Sequence, residues 1–175
     1  MTNVDRVWPY DASGTDTRRA HGRGHVLIAE QFAAGDLARL RTDCRSILRG
    51  ISLDDQRASM LVYAINECLT NVIRHGGGQG WFAFIYDRER LVALVTDHGP
   101  GGSMPIPDQL PANDSLNGRG LWMARQMVDD MTLTTGSSGT TVRLQLAHPS
   151  PDGHRSGGPS EDTESSLAAL RFRRE

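Results

Sequence analysis

Three polar residues at steps of four, Glu67, Asn71 and His75, form the first pattern in this sequence that could carry chemistry. In a helix these steps place the side chains in one stripe along one face. A solvated helix face is the ordinary explanation, but asparagine is a mediocre helix former and gains little at an interior solvated position. A carboxylate and an amide oxygen one turn apart suit a hard divalent cation and a polarised water or hydroxyl. The stripe is therefore a candidate for chemistry that uses a metal ion.

An acid followed by alternating glycines forms a second pattern, at Asp97, Gly99 and Gly101. The apolar run at 91–96 predicts a strand, so the acid falls at the end of that strand. A carboxylate there can accept a hydrogen bond from the exocyclic amine of adenine, worth roughly 1.5–3 kcal/mol. Glycines let the backbone approach a flat base without a Cβ clash. A strand that simply ends in a turn is the alternative.

A pair of glycines, Gly118 and Gly120, opens a predicted helix and forms the third pattern. Backbone N–H groups at a helix N-terminus can bind an anion without any basic side chain. A nucleotide-binding chain of this composition needs such a device, because it contains no lysine and its 19 basic residues are all arginine. Walker-type phosphate loops and eukaryotic-type protein kinases both use a lysine and are excluded. A flexible first helical turn is the alternative for the glycine pair.

Hydrophobic periodicity predicts the elements that must position these residues. In order they are a strand at 25–30, helices at 36–49 and 53–74, strands at 81–86 and 91–96, a loop at 97–117, a helix at 118–130, and strands at 131–135 and 140–146. Ser52, with an acid three residues later, predicts the N-cap of the long helix. The order predicts an α/β two-layer sandwich, with helices on one face of a mostly antiparallel mixed sheet.

Composition divides the chain into three parts: a flexible arm at 1–24, a folded domain at 25–147, and a disordered tail at 148–175 rich in proline, glycine and serine. The net charge of −2 argues against direct nucleic-acid binding. No apolar run approaches the roughly 20 residues of a membrane span. Cys44 and Cys68 have no CxxC partner, which argues against a disulfide framework or a zinc site. Because the arm lacks a secretory signal, we expect a cytoplasmic protein.

The three patterns, followed by Gly139 and Thr140, occur in an order that resembles the N, G1 and G2 boxes of the GHKL, or Bergerat-fold, ATPases. That superfamily includes gyrase, heat-shock protein 90, histidine kinases and MutL. Within it, the chain is similar to the small anti-sigma-factor serine kinases of the RsbW and SpoIIAB type. The resemblance covers about residues 25–147.

The resemblance implies a role for each matching residue of the first two patterns. Asn71 matches the ligand of a Mg²⁺ ion that bridges the phosphates of ATP. Glu67 matches the acid that acts as general base or orients the attacking group. Asp97 matches the carboxylate that reads adenine, and Gly99 with Gly101 matches the glycines of close approach.

The remaining matches lie around the phosphates and the base. Gly118 and Gly120 match glycines that let a loop close over the phosphates. Thr140 matches a threonine that supports the adenine site, often through water. Three further positions are placed near the nucleotide: Thr70, Arg119 and Leu121.

The resemblance implies an ATP-dependent protein serine/threonine kinase and anti-sigma factor. Such a kinase phosphorylates a STAS-domain anti-anti-sigma factor, can also sequester a sigma factor, and in some members forms a homodimer. An ATP-binding interaction module with little chemistry is the alternative. A detached sensor-kinase domain is a third hypothesis, but residues 1–24 are too short and polar for a helical dimerisation segment. Arg41, Arg45 and Arg49, at steps of four, form either a solvated basic face or a docking surface for an acidic partner.

Overall fold

The computed structural model describes residues 25–51, 53–87, 89–101 and 119–148. Its elements are strand β1 (His25–Ala33), a 3-10 turn (Ala34–Asp36), helices α1 (Leu37–Gly50) and α2 (Asp55–His75), strands β2 (Gln79–Asp87) and β3 (Arg90–Asp97), helix α3 (Arg119–Gln126), and strands β4 (Asp130–Gly136) and β5 (Gly139–Ala147). The predicted arm at 1–24, the tail beyond His148, most of the loop at 97–117, and Gly118 lie outside the described residues.

The five strands form one sheet in the order β1-β2-β3-β5-β4. Every described pairing is antiparallel, including the central pair of β3 and β5. The predicted α/β class is confirmed. The sheet was predicted to be mixed, but the described pairings contain no parallel pair. Two tight connections, β2 to β3 and β4 to β5, are hairpins, which run antiparallel by construction.

The main core lies between one face of the sheet and the helices. Alternate side chains of the central strands point into it, among them Phe82, Phe84 and Val95, each almost fully buried. Helix α2 covers them with its own apolar face, led by Leu61 and Ile65. Burying an apolar side chain of this size stabilises the fold by roughly 1.5–3 kcal/mol, so α2 is held firmly on the sheet. No helix of the described residues combines the length and the apolar character needed to cross a bilayer.

The start of α2 differs from the prediction. Asp54, not Ser52, is the N-cap, and its Oδ1 accepts a hydrogen bond from the backbone N–H of Arg57 at 3.0 Å. The backbone N–H of Leu53 donates to the carbonyl of Leu48 at 3.4 Å. The chain is therefore still tied to the end of α1 at Leu53, and α2 begins only at Asp55.

Two further element ends differ from the prediction by three residues or more. Strand β1 continues to Ala33, because its pairing with β2 extends to Gln79. Helix α3 ends at Gln126 rather than near residue 130, because the backbone N–H of Asp129 already donates to the carbonyl of Gln145 at 3.0 Å. The chain has thus entered the sheet where the sequence predicted a last helical turn.

Candidate functional site

The site forms where the C-terminal half of α2 meets the end of β3 and the β4–β5 hairpin. A cavity of about 210 Å³ lies there. Its lining is Cys68, Asn71, Val72, His75, Val95, Asp97, Gly101, Leu121, Leu133, Thr140 and Val142. The amide of the first pattern and the acid of the second therefore face the same cavity, although 26 positions separate Asn71 from Asp97 in sequence.

Asp97 is fixed in place before any ligand is considered. Its Oδ1 accepts backbone hydrogen bonds from Gly99 at 2.9 Å and from Thr140 at 3.1 Å. Asp97 is only 8% exposed, and the charge-assisted bonds compensate for the loss of water around the carboxylate. The carboxylate is thus held between two segments, with Oδ2 free of hydrogen bonds from the described residues and available to a ligand.

Glycines bring the end of α2 against this carboxylate. A Cβ on Gly76 would lie 2.6 Å from the Cβ and 2.8 Å from the Oδ2 of Asp97. A Cβ on Gly99 would lie 2.9 Å from the Cα of Gly76. Any side chain at either position would force the helix end and the strand end apart, so the position of Asp97 depends on the absence of these atoms.

Gly101 allows the same kind of close packing against the β4–β5 hairpin. It has a φ of +64°, and a Cβ there would overlap the carbonyl oxygen of Gly136. The contacts around Gly99 and Gly101 are therefore with the chain's own backbone. The sequence suggested room for a flat base as the reason for these glycines, whereas the structure gives tight packing around Asp97 as a second reason.

Glu67 lies at the other side of the site, against the first turn of α3. A Cβ on Gly120 would overlap the Oε2 of Glu67, so the carboxylate packs directly on the backbone of that turn. Glu67 does not line the cavity that Asn71 and Asp97 share, and neither do Thr70 and Arg119. All three are partly buried on α2 or α3.

Several lining residues were read from the sequence only as core or as a helix end. Cys68 and Leu133 form part of the apolar wall. Gly76, which does not line the cavity but packs against Asp97, was interpreted only as a helix stop. Burial raises the pKa of the Cys68 thiol to about 12, so it stays protonated and acts as an apolar group at neutral pH. His75 does carry a signal in the sequence, since it continues the stripe of Asn71 by one more turn.

The donor set fits a metal ion only together with a ligand. The described residues contain no cluster of three or more His, Cys, Asp or Glu side chains that could hold a metal. Mg²⁺ keeps several waters and is usually bound through one or two protein oxygens plus substrate phosphates. The amide oxygen of Asn71 therefore suits a Mg²⁺ ion that arrives with a polyphosphate, and does not suit a resident metal.

Comparison with protein families identifies the class to which this fold and site belong. The family described as "Histidine kinase-like ATPase domain" matches residues 31–146, well over half of the 175-residue chain. The chain belongs to this family, which confirms the resemblance to the GHKL ATPases. No curated protein sequence gives a match.

Several solved structures are similar to this chain. The RsbU and RsbW domains of Rv1364c from Mycobacterium tuberculosis share 21% identity at a TM-score of 0.49, over 71% of this chain and 33% of that one. The histidine kinase domain of the Erythrobacter litoralis blue-light activated histidine kinase shares 20% identity at a TM-score of 0.41, over 65% of this chain and 60% of that one. The histidine kinase domain of the E. coli osmosensor EnvZ shares 17% identity at a TM-score of 0.41, over 79% and 99%. The match to the mycobacterial structure covers about a third of that structure's length.

Proposed function

We propose that this protein is an ATP-dependent protein serine/threonine kinase and anti-sigma factor, with residues 25–147 as its nucleotide-binding domain. Membership of the histidine kinase-like ATPase family supports ATP as the ligand. The ordered motifs that resemble those of RsbW and SpoIIAB support the finer assignment. Its substrate would be a serine on a STAS-domain anti-anti-sigma factor in the cytoplasm, and a sigma factor would be a second partner.

The observation that carries the proposal is the shared cavity of Asn71 and Asp97. The Oδ1 of Asp97 already accepts two backbone N–H groups, and its Oδ2 can accept a hydrogen bond from the exocyclic amine of adenine. Asn71 lines the same cavity and would offer its amide oxygen to the metal. When bound, Mg-ATP supplies the phosphoryl group and much of the charge neutralisation that phosphoryl transfer requires.

The residues of the chain then have separate tasks. Asn71 would hold the metal ion, and the backbone N–H groups at the start of α3, where Arg119 lies, would bind the phosphates. Glu67 receives or orients the proton of the substrate hydroxyl. Leu121 and Thr140 line the cavity and would surround the base, while Thr70 lies one residue before Asn71 on α2.

Isothermal titration with Mg-ATP and with Mg-GTP tests the nucleotide site. We expect adenine-selective binding by the wild type, weakened by Asp97→Ala by roughly tenfold to a hundredfold, because a hydrogen bond to a charged acceptor is lost. Asp43→Ala is the matched control, since Asp43 lies on α1 and pairs with Arg39 at 3.1 Å. Equal binding of the two nucleotides, or no effect of the Asp97 change, would contradict the site.

Radiolabelled ATP tests the kinase activity. Wild-type protein mixed with a STAS-domain partner should transfer label to a serine of that partner. Arg45 and Arg49, both exposed on α1, are the basic groups that an acidic partner would meet first. Transfer to a histidine of the protein itself would instead support a sensor-kinase activity.

One observation favours the alternative, an ATP-binding interaction module without phosphoryl transfer. The carboxylate of Glu67 packs against Gly120 and does not line the cavity. Tight ATP binding without transfer of label to any STAS partner would support this alternative and reject the kinase.

A further inference from the structure

The sheet has a second apolar cluster on the face that points away from the helices, here called the outer face. Its members are Ala83, Ile85, Val92 and Leu94, on β2 and β3, with Val26 and Ala29 of β1 packed against them. No helical residue belongs to this cluster, whereas the main core contains residues of α1, α2 and α3. In a two-layer sandwich this face would meet water.

The outer cluster is nevertheless as buried as the core. Val92 and Leu94 are each 3% exposed, and Thr96 beside them is 1% exposed. The sequence carries the same signal, because the run of five apolar residues from Leu91 to Val95 does not alternate with polar ones. Strands buried on both faces have such continuous runs, and strands with one wet face alternate.

Side chains with so little exposure need a cover, and the segments of this chain outside the described ranges are the nearest source of one. The described residues place no helix over the outer cluster. Residues 102–118 connect Gly101, at the cavity, to α3, which packs on α2, so both ends of that segment lie on the helical side. Two segments are left as candidates, residues 1–24 and residues 149–175.

The last described residue, His148, lies on the helical side of the sheet and not on the outer face. The Nε2–H of His148 donates to the carbonyl of Ile51 at 2.7 Å, at the end of α1. The His148 ring also meets the edge of Tyr86, with centroids 5.9 Å apart, and Tyr86 packs against the main core. The chain is thus directed to the helical side where residue 149 begins.

The N-terminal side enters at the outer cluster itself. His25 begins β1, and its neighbour Val26 already packs against the cluster. Residues 7–10 form an apolar run, Val-Trp-Pro-Tyr, and 14 residues separate that run from His25. At roughly 3.3 Å per residue these can reach any point on a sheet whose neighbouring strands are about 4.8 Å apart.

A partly buried arginine lies next to the cluster. Arg143 pairs with Leu94 in the sheet register and points to the outer face, since Val142 and Leu144 belong to the core. Its Nε is buried and finds no hydrogen-bond partner among the described residues. Two acids, Asp5 and Asp11, flank the apolar run of the N-terminal segment and could provide the missing acceptor.

We propose that residues 1–24 dock on the outer face of the sheet, with residues 7–10 over the outer cluster and a flanking acid beside Arg143. The segment that composition alone predicts to be a flexible arm is then a third layer of the domain. This interaction surface is independent of the nucleotide and of the proposed kinase activity.

A nitroxide spin label on the full-length chain tests this docking. One variant, Ser13→Cys, carries the label next to the apolar run, and a matched variant, Ser166→Cys, carries it in the C-terminal segment. The native Cys44 and Cys68 are buried, and burial raises the pKa of both thiols to about 12, so they resist labelling. The readout is the loss of methyl signal intensity at Ile85, Val92 and Leu94, with Leu61 in the main core as the internal reference.

The label at position 13 should quench the outer-cluster methyl groups and leave Leu61 unchanged, and the label at position 166 should quench neither. Quenching by the label at position 166 alone would overturn the proposal in favour of the C-terminal segment. Quenching only between labelled and unlabelled molecules in a mixed sample would overturn it in favour of a second copy. Absence of quenching in every sample would also overturn it.

A second measurement separates docking from mere proximity. In the labelled Ser13→Cys chain, the added changes Val7→Ser and Trp8→Ser should abolish the quenching, because they remove the apolar groups that hold the segment. Nucleotide affinity should stay unchanged. Quenching that persists in this variant would show that residues 7–10 do not dock on the cluster.

Discussion

The two corners of the candidate site are built in different ways. The corner proposed to hold the base, here called the base corner, comprises Asp97, Gly76, Gly99 and Thr140, and backbone hydrogen bonds from two segments fix its carboxylate. The corner proposed to hold the phosphates, here called the phosphate corner, comprises Glu67 and Gly120, and it depends on the contact of α2 with the first turn of α3. The base corner is thus part of the sheet, whereas the phosphate corner moves if α3 moves. A nucleotide would find its base site preorganised, and the chemistry would depend on where α3 lies.

The largest effect is expected at the phosphate corner. Glu67→Gln should lower phosphoryl transfer by about 10²–10⁴-fold, the usual contribution of a positioned general base, and leave ATP affinity unchanged. Titration and transfer assays on the same preparation measure the two quantities. Glu89→Gln is the matched control, because Glu89 is exposed in the β2–β3 turn, at the opposite end of β3 from Asp97. Full transfer activity in the Glu67→Gln protein would show that Glu67 does not act in phosphoryl transfer, and would contradict the role proposed for the phosphate corner.

A methyl group at the phosphate corner should have a smaller effect of the same kind. In Gly120→Ala the added Cβ would displace the Glu67 carboxylate, because the two would overlap. We expect transfer to fall about tenfold, which corresponds to about 1.4 kcal/mol, with ATP affinity kept. Gly35→Ala is the control, since a Cβ at Gly35 meets nothing within 4 Å. Equal losses of binding and transfer would mean that the two corners are not separable.

An added methyl group at Gly76 tests the base corner in the same way. In Gly76→Ala the added Cβ would lie 2.6 Å from the Cβ and 2.8 Å from the Oδ2 of Asp97, so it should push the end of α2 and the end of β3 apart and move the carboxylate out of place. ATP affinity should fall about threefold to tenfold, or about 0.7–1.4 kcal/mol, while the weak binding of GTP stays the same. Titration with both nucleotides measures this, again against Gly35→Ala. A loss of transfer at saturating ATP, without a loss of affinity, would reverse the assignment of the corners.

The two corners also differ in how far the sequence predicts them. The steps of four on α2 and the acid at the end of β3 were visible, because helix and strand periodicity place those side chains without tertiary information. The contact of Gly76 with Asp97 was not visible, because it joins the end of a helix to a strand 21 positions later. Glycines after a helix have a sufficient local explanation as a stop, and nothing local indicates a packing role.

The same limit applies to the fold. The α/β class and the two hairpins follow from local patterns, and the structure confirms them. The N-cap of α2 was assigned to Ser52 because Ser52 and Asp54 can both cap a helix, and only the hydrogen bond from Leu53 back to Leu48 decides between them. The apolar run of β3 was read as a strand, but which elements cover each of its faces is a property of the whole fold.

The smallest effect on nucleotide binding is expected at the start of α2, the end of the helix that is far from both corners. Asp54→Ala removes the acceptor for the Arg57 N–H and should lower the free energy of unfolding by about 1 kcal/mol. Asp54→Asn should retain most of that stability, because asparagine caps nearly as well. Chemical denaturation measures the loss, and titration should give the same ATP affinity for all three proteins. Asp54 lies more than three helical turns from Asn71. A change in ATP affinity on its substitution would therefore mean that α2 transmits strain along its length, and that each corner depends on distant parts of the helix.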